Sequence, residues 1–356
     1  MMYELLKNLC DIVGPSGFEQ DVQRFILNEI KDYVDEYHVD AVGNLIVKKK
    51  GNDPSYPSLV IAAHTDEVGF IVKKIEDNGL LRFEKLGGHD DRFLNSLPVK
   101  IRSDRGIVDG VIGTIAMHYV KWDDPKRVSS HRELYIDIGA RSAEDAKEMG
   151  IKVGQPISYG TEFKRIGNNR AVGKALDDRA GCALLIRLLQ GLNDTGAKHG
   201  DIYGAFTVQE EVGLRGASVV SNAVQPEFAL ALDTTPTSDT PDVLMTGTRV
   251  LGNGPCIKIV DKSLIAHPLV TGHLEKVAIE GNIPYQMEVF MGIGTDAGAI
   301  HMTNKGVTTG VISIPSRYTH TPIEVVDLDD MENSYKLLHD FVVTLDQLKG
   351  KTFLDT

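Results

Sequence analysis

The stretch Thr207-Val208-Gln209-Glu210-Glu211-Val212-Gly213 follows a strand-like run, Ile202 to Val208, and ends at a glycine. Adjacent carboxylates after a strand can belong to a solvated turn, because acidic side chains are mostly exposed. They can also belong to a metal site, in which one Glu binds a metal and the other moves protons. Burying two carboxylates is costly unless cations or protons compensate them. The rest of the chain has to decide between these two interpretations.

The composition predicts a globular protein with two domains. The chain has 356 residues, which exceeds the usual size of a single hydrophobic core. Its 42% hydrophobic residues, 25% charged residues and 35 glycines are typical of a globular fold with many tight turns. The net charge of −12 argues against nucleic acid as a main partner, because binding phosphates requires a basic surface.

Several features favour a cytoplasmic location. The first residues, Met1 to Lys7, include Glu4 and lack the long apolar core of a signal peptide. No apolar run approaches the ~20 residues that span a membrane, so a membrane partner is not expected. The three cysteines, Cys10, Cys182 and Cys256, are odd in number and widely spaced. Such cysteines are typical of reduced thiols in a cytoplasmic protein.

Three other apolar runs lead to side chains that can bind a metal. They are residues 58–63 before His64, residues 227–232 before Asp233, and residues 310–314 before His320. A helical pattern also begins near Asp177-Asp178, where capping and the helix dipole are the ordinary explanation for the acids. In open α/β sheets, ligands bind beyond the carboxyl ends of the strands. We therefore expect these side chains to meet Glu210 and Glu211 at one edge of a sheet.

This set of donors predicts a dimetal hydrolase. Mixed nitrogen and oxygen ligands suit zinc, cobalt or manganese. The donors suffice for two ions, with one carboxylate bridging, one His and one acid on each ion, and one Glu left as a base. Asp66, two residues after His64, can orient that imidazole by accepting its second N–H. Two cations would also lower the pKa of a shared water, which would then supply hydroxide near neutral pH.

Three alternatives stay open at this point. A dimetal deacylase or carboxypeptidase would use the same metal ligands without requiring a free amine. A glycoside hydrolase would need two carboxyl groups about 5–5.5 Å or 6.5–9.5 Å apart across a sugar cleft, whereas Glu210 and Glu211 are consecutive. The single Trp also argues against a sugar cleft. A non-catalytic metal-binding scaffold would not need Glu210.

The segment from about 68 to 166 has a different character. Short strand-like runs alternate there with Gly, Asp and Asn turns, and one short helix is predicted from Ala143 to Met149. The runs cover residues 70–75, 80–86, 99–101, 108–115, 134–138 and 156–159. Many short strands with turn signals predict a small barrel or sandwich. We interpret this segment as an insertion between two halves of an α/β domain.

Seven segments, spread almost end to end, are similar in type and order to motifs of one peptidase family. They are Gly14-Pro15-Ser16-Gly17, His64 to Gly69, Lys174 to Arg179, Gln209 to Gly213, Asp233-Thr234-Thr235, Gly294 to His301, and Arg317 to His320. The chain resembles the glutamyl aminopeptidase family, which includes the tetrahedral aminopeptidases. The resemblance implies an α/β fold, in which a mixed-sheet dimetal exopeptidase domain carries an inserted small β-barrel domain.

The resemblance also implies roles for individual residues. The implied metal ligands are His64 and Asp233 on one ion, Glu211 and His320 on the other, and Asp177 bridging both. Glu210 matches the catalytic base, Asp66 the acid that orients the first His, and Asp178 the neighbour joined to Asp177 by a cis peptide. The implied cofactors are two divalent ions per subunit, zinc or cobalt, with manganese possible. The implied activity is removal of N-terminal residues from short peptides, with a metal-bridged water as nucleophile.

Domain limits and assembly follow from the same resemblance. The catalytic α/β domain is expected at 1–67 and 167–356, and the inserted β-barrel domain at 68–166. The family builds tetrahedral dodecamers from dimers, so a homo-oligomer is expected. At Gly87-Gly88-His89-Asp90-Asp91 the chain departs from the aromatic residue and the proline that the family leads us to expect. We expect this departure to affect assembly or channel lining rather than chemistry. Residues 292–297 are expected either to approach the substrate pocket or to form a tight turn.

Overall fold

A computed structural model describes residues 2–119, 128–241 and 247–356. In chain order, its strands are β1 (Glu36–Val39), β2 (Leu45–Lys49), β3 (Leu59–His64), β4 (Gly69–Ile75), β5 (Leu81–Leu86), β6 (Pro98–Ser103), β7 (Gly106–Gly113), β8 (Tyr135–Asp137), β9 (Pro156–Tyr159), β10 (Lys164–Ile166), β11 (Arg170–Gly173), β12 (Ile202–Thr207), β13 (Phe228–Pro236), β14 (Cys256–Val260), β15 (Gln286–Val289), β16 (Thr308–Arg317) and β17 (Glu324–Asp327). Its α-helices are α1 (Met2–Asp11), α2 (Gln20–Ile30), α3 (Ala143–Glu148), α4 (Leu176–Thr195), α5 (Ala217–Val224), α6 (Pro268–Glu280), α7 (Asp296–Ile300) and α8 (Leu328–Val343).

Most of the strands form one large mixed sheet. Across the described ranges its order is β1-β2-β12-β3-β13-β16-β17-β11-β10, and β14 pairs with β16 and β15 beside this path. The four central strands, β12, β3, β13 and β16, run parallel to one another. Their carboxyl ends therefore lie along one edge of the sheet. This arrangement confirms the prediction that the side chains after these strands come together.

Helices cover both faces of the sheet, and side-chain size differs between the two faces. Along β3, Leu59 and Ile61 face the large core formed with α1, α4 and α8. Val60 and Ala62 face the smaller core beside α5 and α7. This alternation is the two-residue period of a strand that is buried on both sides. Among the helices in the described ranges, none combines the length and the apolar character needed to cross a membrane.

The inserted segment forms a closed barrel with the strand order β4-β5-β8-β7-β6-β9. The barrel has its own core of buried side chains, which is separate from the core of the large sheet. The strand-like runs of the sequence therefore become barrel strands, and the short helix is α3. The limits of the two domains, and a role of the barrel in assembly, stay predictions.

Two helix boundaries lie next to irregular backbone. Helix α2 starts at Gln20. Gly17 takes a φ of +86°, which is outside the helical region, and Ser16 donates its hydroxyl hydrogen bond to Asp66. The closing helix α8 ends at Val343, and a 3-10 turn from Leu345 to Leu348 follows.

Glu67 joins the barrel to the sheet. Its buried carboxylate accepts hydrogen bonds from the Lys174 ammonium at 2.8 Å and the Gly14 N–H at 3.0 Å, both in the sheet half of the molecule. It also accepts one from the Ser158 hydroxyl of β9 at 2.9 Å. The hydrogen bond from Ser158 therefore links the barrel to a buried carboxylate that the sheet half holds through Lys174 and Gly14.

Candidate metal centre

Two donors of the candidate site project from the central strands on the same face of the sheet. His64 is the last residue of β3 and continues the alternating series of Val60 and Ala62. Asp233 continues the series of Ala229 and Ala231 on β13. Because side chains alternate along a strand, both donors lie on the side of α5 and α7. Sequence position alone thus brings an imidazole and a carboxylate together.

The turn after β12 is held by Asp66. The Asp66 carboxylate accepts the backbone N–H of Glu210 at 3.0 Å and that of Glu211 at 3.2 Å. It also accepts the Ser16 hydroxyl at 2.6 Å. Gln209, which precedes the two acids, takes a φ of +57°, so the chain turns sharply there. These contacts direct both glutamates toward the edge of the sheet.

The first group of donors contains His64, Asp177 and Asp233. The Nε2 atom of His64 lies 3.2 Å from Asp177 Oδ1 and 3.9 Å from Asp233 Oδ1. The other ring nitrogen, Nδ1, lies 3.2 Å from the backbone carbonyl of Asp66. A carbonyl only accepts, so Nδ1 carries the hydrogen and Nε2 faces the two carboxylates.

The second group contains Asp177, Glu211 and His320. The Nε2 atom of His320 lies 3.4 Å from Asp177 Oδ2 and 3.1 Å from Glu211 Oε2. The two oxygens of Asp177 therefore face different histidines. A cis peptide bond joins Asp177 to Asp178. The Asp178 carboxylate accepts the backbone N–H of His64 at 3.2 Å. Every predicted site residue is thus found in or next to these two groups.

The charges of the site are strongly coupled. Burial and the nearby Asp177 carboxylate raise the pKa of Asp233 well above its ordinary value. Burial alone would also raise the pKa of Asp177, but hydrogen bonds from His320 and His64 hold it below its usual range. Burial disfavours the charged form of His320, yet Glu211 and Asp177 raise the pKa of this imidazole to about 12. The cluster therefore favours bound positive charge.

The donor set fits two divalent cations. In each group the donor atoms all lie within 4.8 Å of one another, and the groups share Asp177. Glu211 Oε1 is buried and has no hydrogen-bond partner among the described residues, so one strong acceptor is left for another ligand. Imidazole nitrogen with carboxylate oxygen is a set that zinc and similar ions accept.

Glu210 lies beside the two groups but belongs to neither. It is adjacent to Glu211 in sequence and lines the same cavity, of about 660 Å³, as His64 and Asp233. Burial raises the pKa of Glu210 well above its ordinary value; His64 opposes this effect, and Asp233 and Glu211 add to it. Gly292 to Gly294 also line the cavity, so this part of the glycine-rich segment does approach the pocket.

Glu324 is a further residue of the site that the sequence pattern did not indicate. Its buried carboxylate accepts the backbone N–H of Asp177 at 2.9 Å through one oxygen and that of His320 at 2.9 Å through the other. Burial and the charge of Asp177 raise the pKa of Glu324 to about 8, and the two N–H donors oppose this rise. An acid four residues after His320 was the available signal, but its partners become visible only in the fold.

The barrel also reaches the site. The backbone carbonyl of Gly88, in the loop after β5, accepts a hydrogen bond from His320 Nδ1 at 2.7 Å. The expectation that this loop affects assembly or channel lining rather than chemistry therefore omitted a direct contact with a candidate metal ligand. A main-chain acceptor has no signature in the sequence, so no pattern could have predicted it.

Comparison with known proteins gives the family. The family described as M42 glutamyl aminopeptidase matches residues 43–337. The chain belongs to this family. Membership of this family confirms the prediction that the protein is a hydrolase acting on peptide bonds.

Similar proteins support this M42 assignment along the whole chain. A putative aminopeptidase of Acetivibrio thermocellus is 41% identical over 95% of this chain and 97% of its own. The solved structure of an aminopeptidase from Desulfurococcus kamchatkensis has a TM-score of 0.91 at 39% identity, over 99% of this chain and 98% of that chain. A Pyrococcus horikoshii TET1 peptidase, described as assembling into a tetrahedron or a large octahedral shell, has a TM-score of 0.87 at 36% identity, over 96% and 99%.

Replacing Glu324 by Gln tests the support of both donor groups. In the amide an NH2 group replaces one of the two accepting oxygens, so the backbone N–H of Asp177 or of His320 faces a donor and loses its hydrogen bond. Loss of such supporting contacts typically weakens metal binding ~10–100-fold, and titration calorimetry with Zn²⁺ or Co²⁺ measures it. Glu332→Gln, at a half-exposed carboxylate paired with Arg187, is the matched control. Equal metal affinity in the two variants would contradict the role given to Glu324.

Proposed function

We propose that this M42 enzyme removes single residues from the free N-termini of short peptides. The observation that carries the proposal is the pair of donor groups that share Asp177, with the buried carboxylate of Glu210 beside them in one cavity. His64 and Asp233 would hold one divalent ion, and Glu211 and His320 the other. Zinc or cobalt suits these donors best, and manganese is the alternative.

Bound ions of this kind supply Lewis acidity and lower the pKa of a water between them. The protein's own part in the chemistry is proton transfer by Glu210. This carboxylate is outside both donor groups, so it stays free to accept a proton from the attacking water and to donate it to the leaving amine. A carboxylate in this position suits both tasks, because a general acid–base group must lie within hydrogen-bond reach of the proton that it transfers. The Asp66 carboxylate holds the Glu210 backbone in place by accepting the N–H of Glu210.

The proposed site favours a free amino terminus over an acetylated one. A neutral α-amine is a good ligand for zinc or cobalt, and Glu210, which lines the cavity outside both donor groups, would attract the protonated form. Binding of that amine places the first peptide bond next to Glu210 and converts affinity into positioning. An acetylated terminus has no positive charge and loses this contribution. The dimetal deacylase and carboxypeptidase alternatives do not require such a free amine.

We further propose that residues 68–166 act as an assembly domain and that the chain forms a homo-oligomer. The TET1 relative assembles into closed shells, and the similarity covers the barrel as well as the large sheet. A tetrahedral dodecamer built from dimers is the specific assembly we favour. Enclosure would restrict substrates to short peptides. A cytoplasmic location stays a prediction from the cysteines and the N-terminal sequence.

Glu210→Gln should keep both metal ions and lose ~10²–10⁴-fold in turnover, the usual contribution of a general acid–base group. Glu211→Gln makes the same chemical change one residue later, and it should instead lower the metal content, because Glu211 is in a donor group. Elemental analysis and steady-state kinetics on both variants separate the two roles. Wild-type turnover in a metal-replete Glu210→Gln enzyme would refute the base assignment.

Paired peptides of one sequence, with a free and with an N-acetylated terminus, test the exopeptidase function. We expect stepwise release of N-terminal residues from the free peptide and negligible cleavage of the acetylated one. Mass spectrometry of the products, with Zn, Co and Mn added in turn, gives both the order of release and the preferred metal. Equal rates for the two peptides would favour a deacylase or an endopeptidase.

Size-exclusion chromatography with light scattering tests the assembly. The metal-loaded protein should elute as a homo-oligomer at micromolar concentration, with a dodecamer or its constituent dimer as the expected species. A monomer under these conditions would contradict the assembly role of residues 68–166.

A further inference from the structure

The two histidines of the metal centre are anchored in different ways. His64 is 2% exposed, and its Nδ1 contacts the carbonyl of Asp66, two residues further along the same strand end. The side chain of His320 is 39% exposed, and its Nδ1 donates to the carbonyl of Gly88, which belongs to the barrel. One imidazole is therefore oriented entirely by the large sheet, whereas the other depends on a contact from the inserted domain.

The contact with Gly88 determines which nitrogen of His320 is available to a metal. Because a carbonyl can only accept, Nδ1 carries a hydrogen, and Nε2, which faces Glu211 and Asp177, is the nitrogen left for a metal ion. Such outer partners fix the tautomer and ring orientation of a metal-bound His. If the carbonyl moves, the ring of His320 can rotate, since more than a third of its side chain is in contact with solvent.

The loop that carries Gly88 lies directly against the second donor group. Gly87 has a φ of +84°, and a Cβ added there would lie 3.3 Å from the Cβ of Glu211 and 2.8 Å from a methyl of Val68. The segment therefore touches both Glu211 and His320. We call residues Gly87–Asp91 the barrel loop.

Contacts within the barrel hold this loop in place. The His89 ring stacks on Phe70, with centroids 4.6 Å apart, and its Nδ1 lies 2.8 Å from the Tyr159 hydroxyl. Lys85 donates to the His89 carbonyl at 2.8 Å and pairs with Asp91 at 2.6 Å. The resemblance led us to expect an aromatic residue and a proline near His89 and Asp91. Here an imidazole supplies the stacking ring, and an ion pair restrains the loop.

We infer that the barrel loop is a positioning element for the Glu211/His320 metal position, so that this position and not the His64/Asp233 position depends on how the loop is held. The inference rests on the proposed dimetal function, and it concerns affinity for the ion rather than the reaction. It predicts that loosening the loop weakens one of the two metal positions selectively.

Lys85→Met and Tyr159→Phe loosen the loop without altering a proposed metal ligand. Each should weaken binding of one ion ~10–100-fold, the usual effect of removing the outer support of a metal ligand. Calorimetric titration of the metal-free protein with Zn²⁺ or Co²⁺ gives the two affinities directly. Lys74→Met, on β4 of the same barrel and paired with Glu76, is the matched control and should bind both ions as the wild type does.

Combined variants show which position is weakened. In a His64→Ala background, where the Glu211/His320 position remains, Lys85→Met should lower the residual affinity by the same factor. In a His320→Ala background it should change nothing, because the supported ligand is already absent. Raising the metal concentration should restore turnover to Lys85→Met, which a general loss of folding would not allow.

Wild-type affinity for both ions in Lys85→Met and Tyr159→Phe, or equal weakening of both positions, would overturn the inference. Failure of the proposed function would look different. The wild-type protein would then bind no ions, or it would bind two ions and cleave neither form of the paired peptides.

Discussion

The buried carboxylate of Asp66 is the contact on which the site depends. It accepts the N–H groups of Glu210 and Glu211 and the hydroxyl of Ser16, and it lies 3.6 Å from His64 Nδ1. Three chain segments that are far apart in sequence therefore meet at one charge. A hydrogen bond to a charged group contributes about 1.5–3 kcal/mol, so the carboxylate orders the turn while its own charge is stabilised. Asp66 thus contacts His64 through its backbone carbonyl and holds the turn of Glu210 and Glu211 through its carboxylate.

A buried lysine next to the donor groups balances part of their negative charge. Burial raises the pKa of Asp233, and among the opposing charges is the buried ammonium of Lys258. Lys258 lies 3.1 Å from Glu288, whose carboxylate also accepts the Thr235 hydroxyl at 2.7 Å. A cation behind Asp233 thus offsets part of the negative charge that the strand end carries. Lys258 does not balance all the carboxylates of the two donor groups. We therefore expect bound metal ions to stabilise the folded state of this region.

Strand periodicity predicts which side chains of the site come together, and the resemblance to the peptidase family supplies the predicted roles of Asp177, Asp178 and Glu210. Apolar runs before His64 and Asp233 give buried parallel strands, and parallel strands place their carboxyl ends together whatever the connecting segments do. The contacts that sequence could not predict come from segments with no such constraint. Glu324 reaches Asp177 and His320 only because β17 lies antiparallel to β16, and Gly88 contributes a carbonyl that every residue possesses. The closed barrel was predictable as a set of short strands, whereas its approach to the metal centre was not.

Two adjacent residues after β3 explain how an inserted domain can take part in a metal site. The side chain of Asp66 lies in the site. The side chain of Glu67 lies at the junction with the barrel, where it binds Lys174 and Ser158. Removing one partner of a buried ion pair typically costs about 3–5 kcal/mol, which is comparable to a large part of a protein's net stability. The Ser158 hydroxyl connects β9 of the barrel to this buried pair, and Gly88 of the same barrel accepts the hydrogen bond of His320. Asp66 and Glu67 share one short segment of backbone, so the turn that carries Glu210 and Glu211 and the junction with the barrel are both attached at the end of β3.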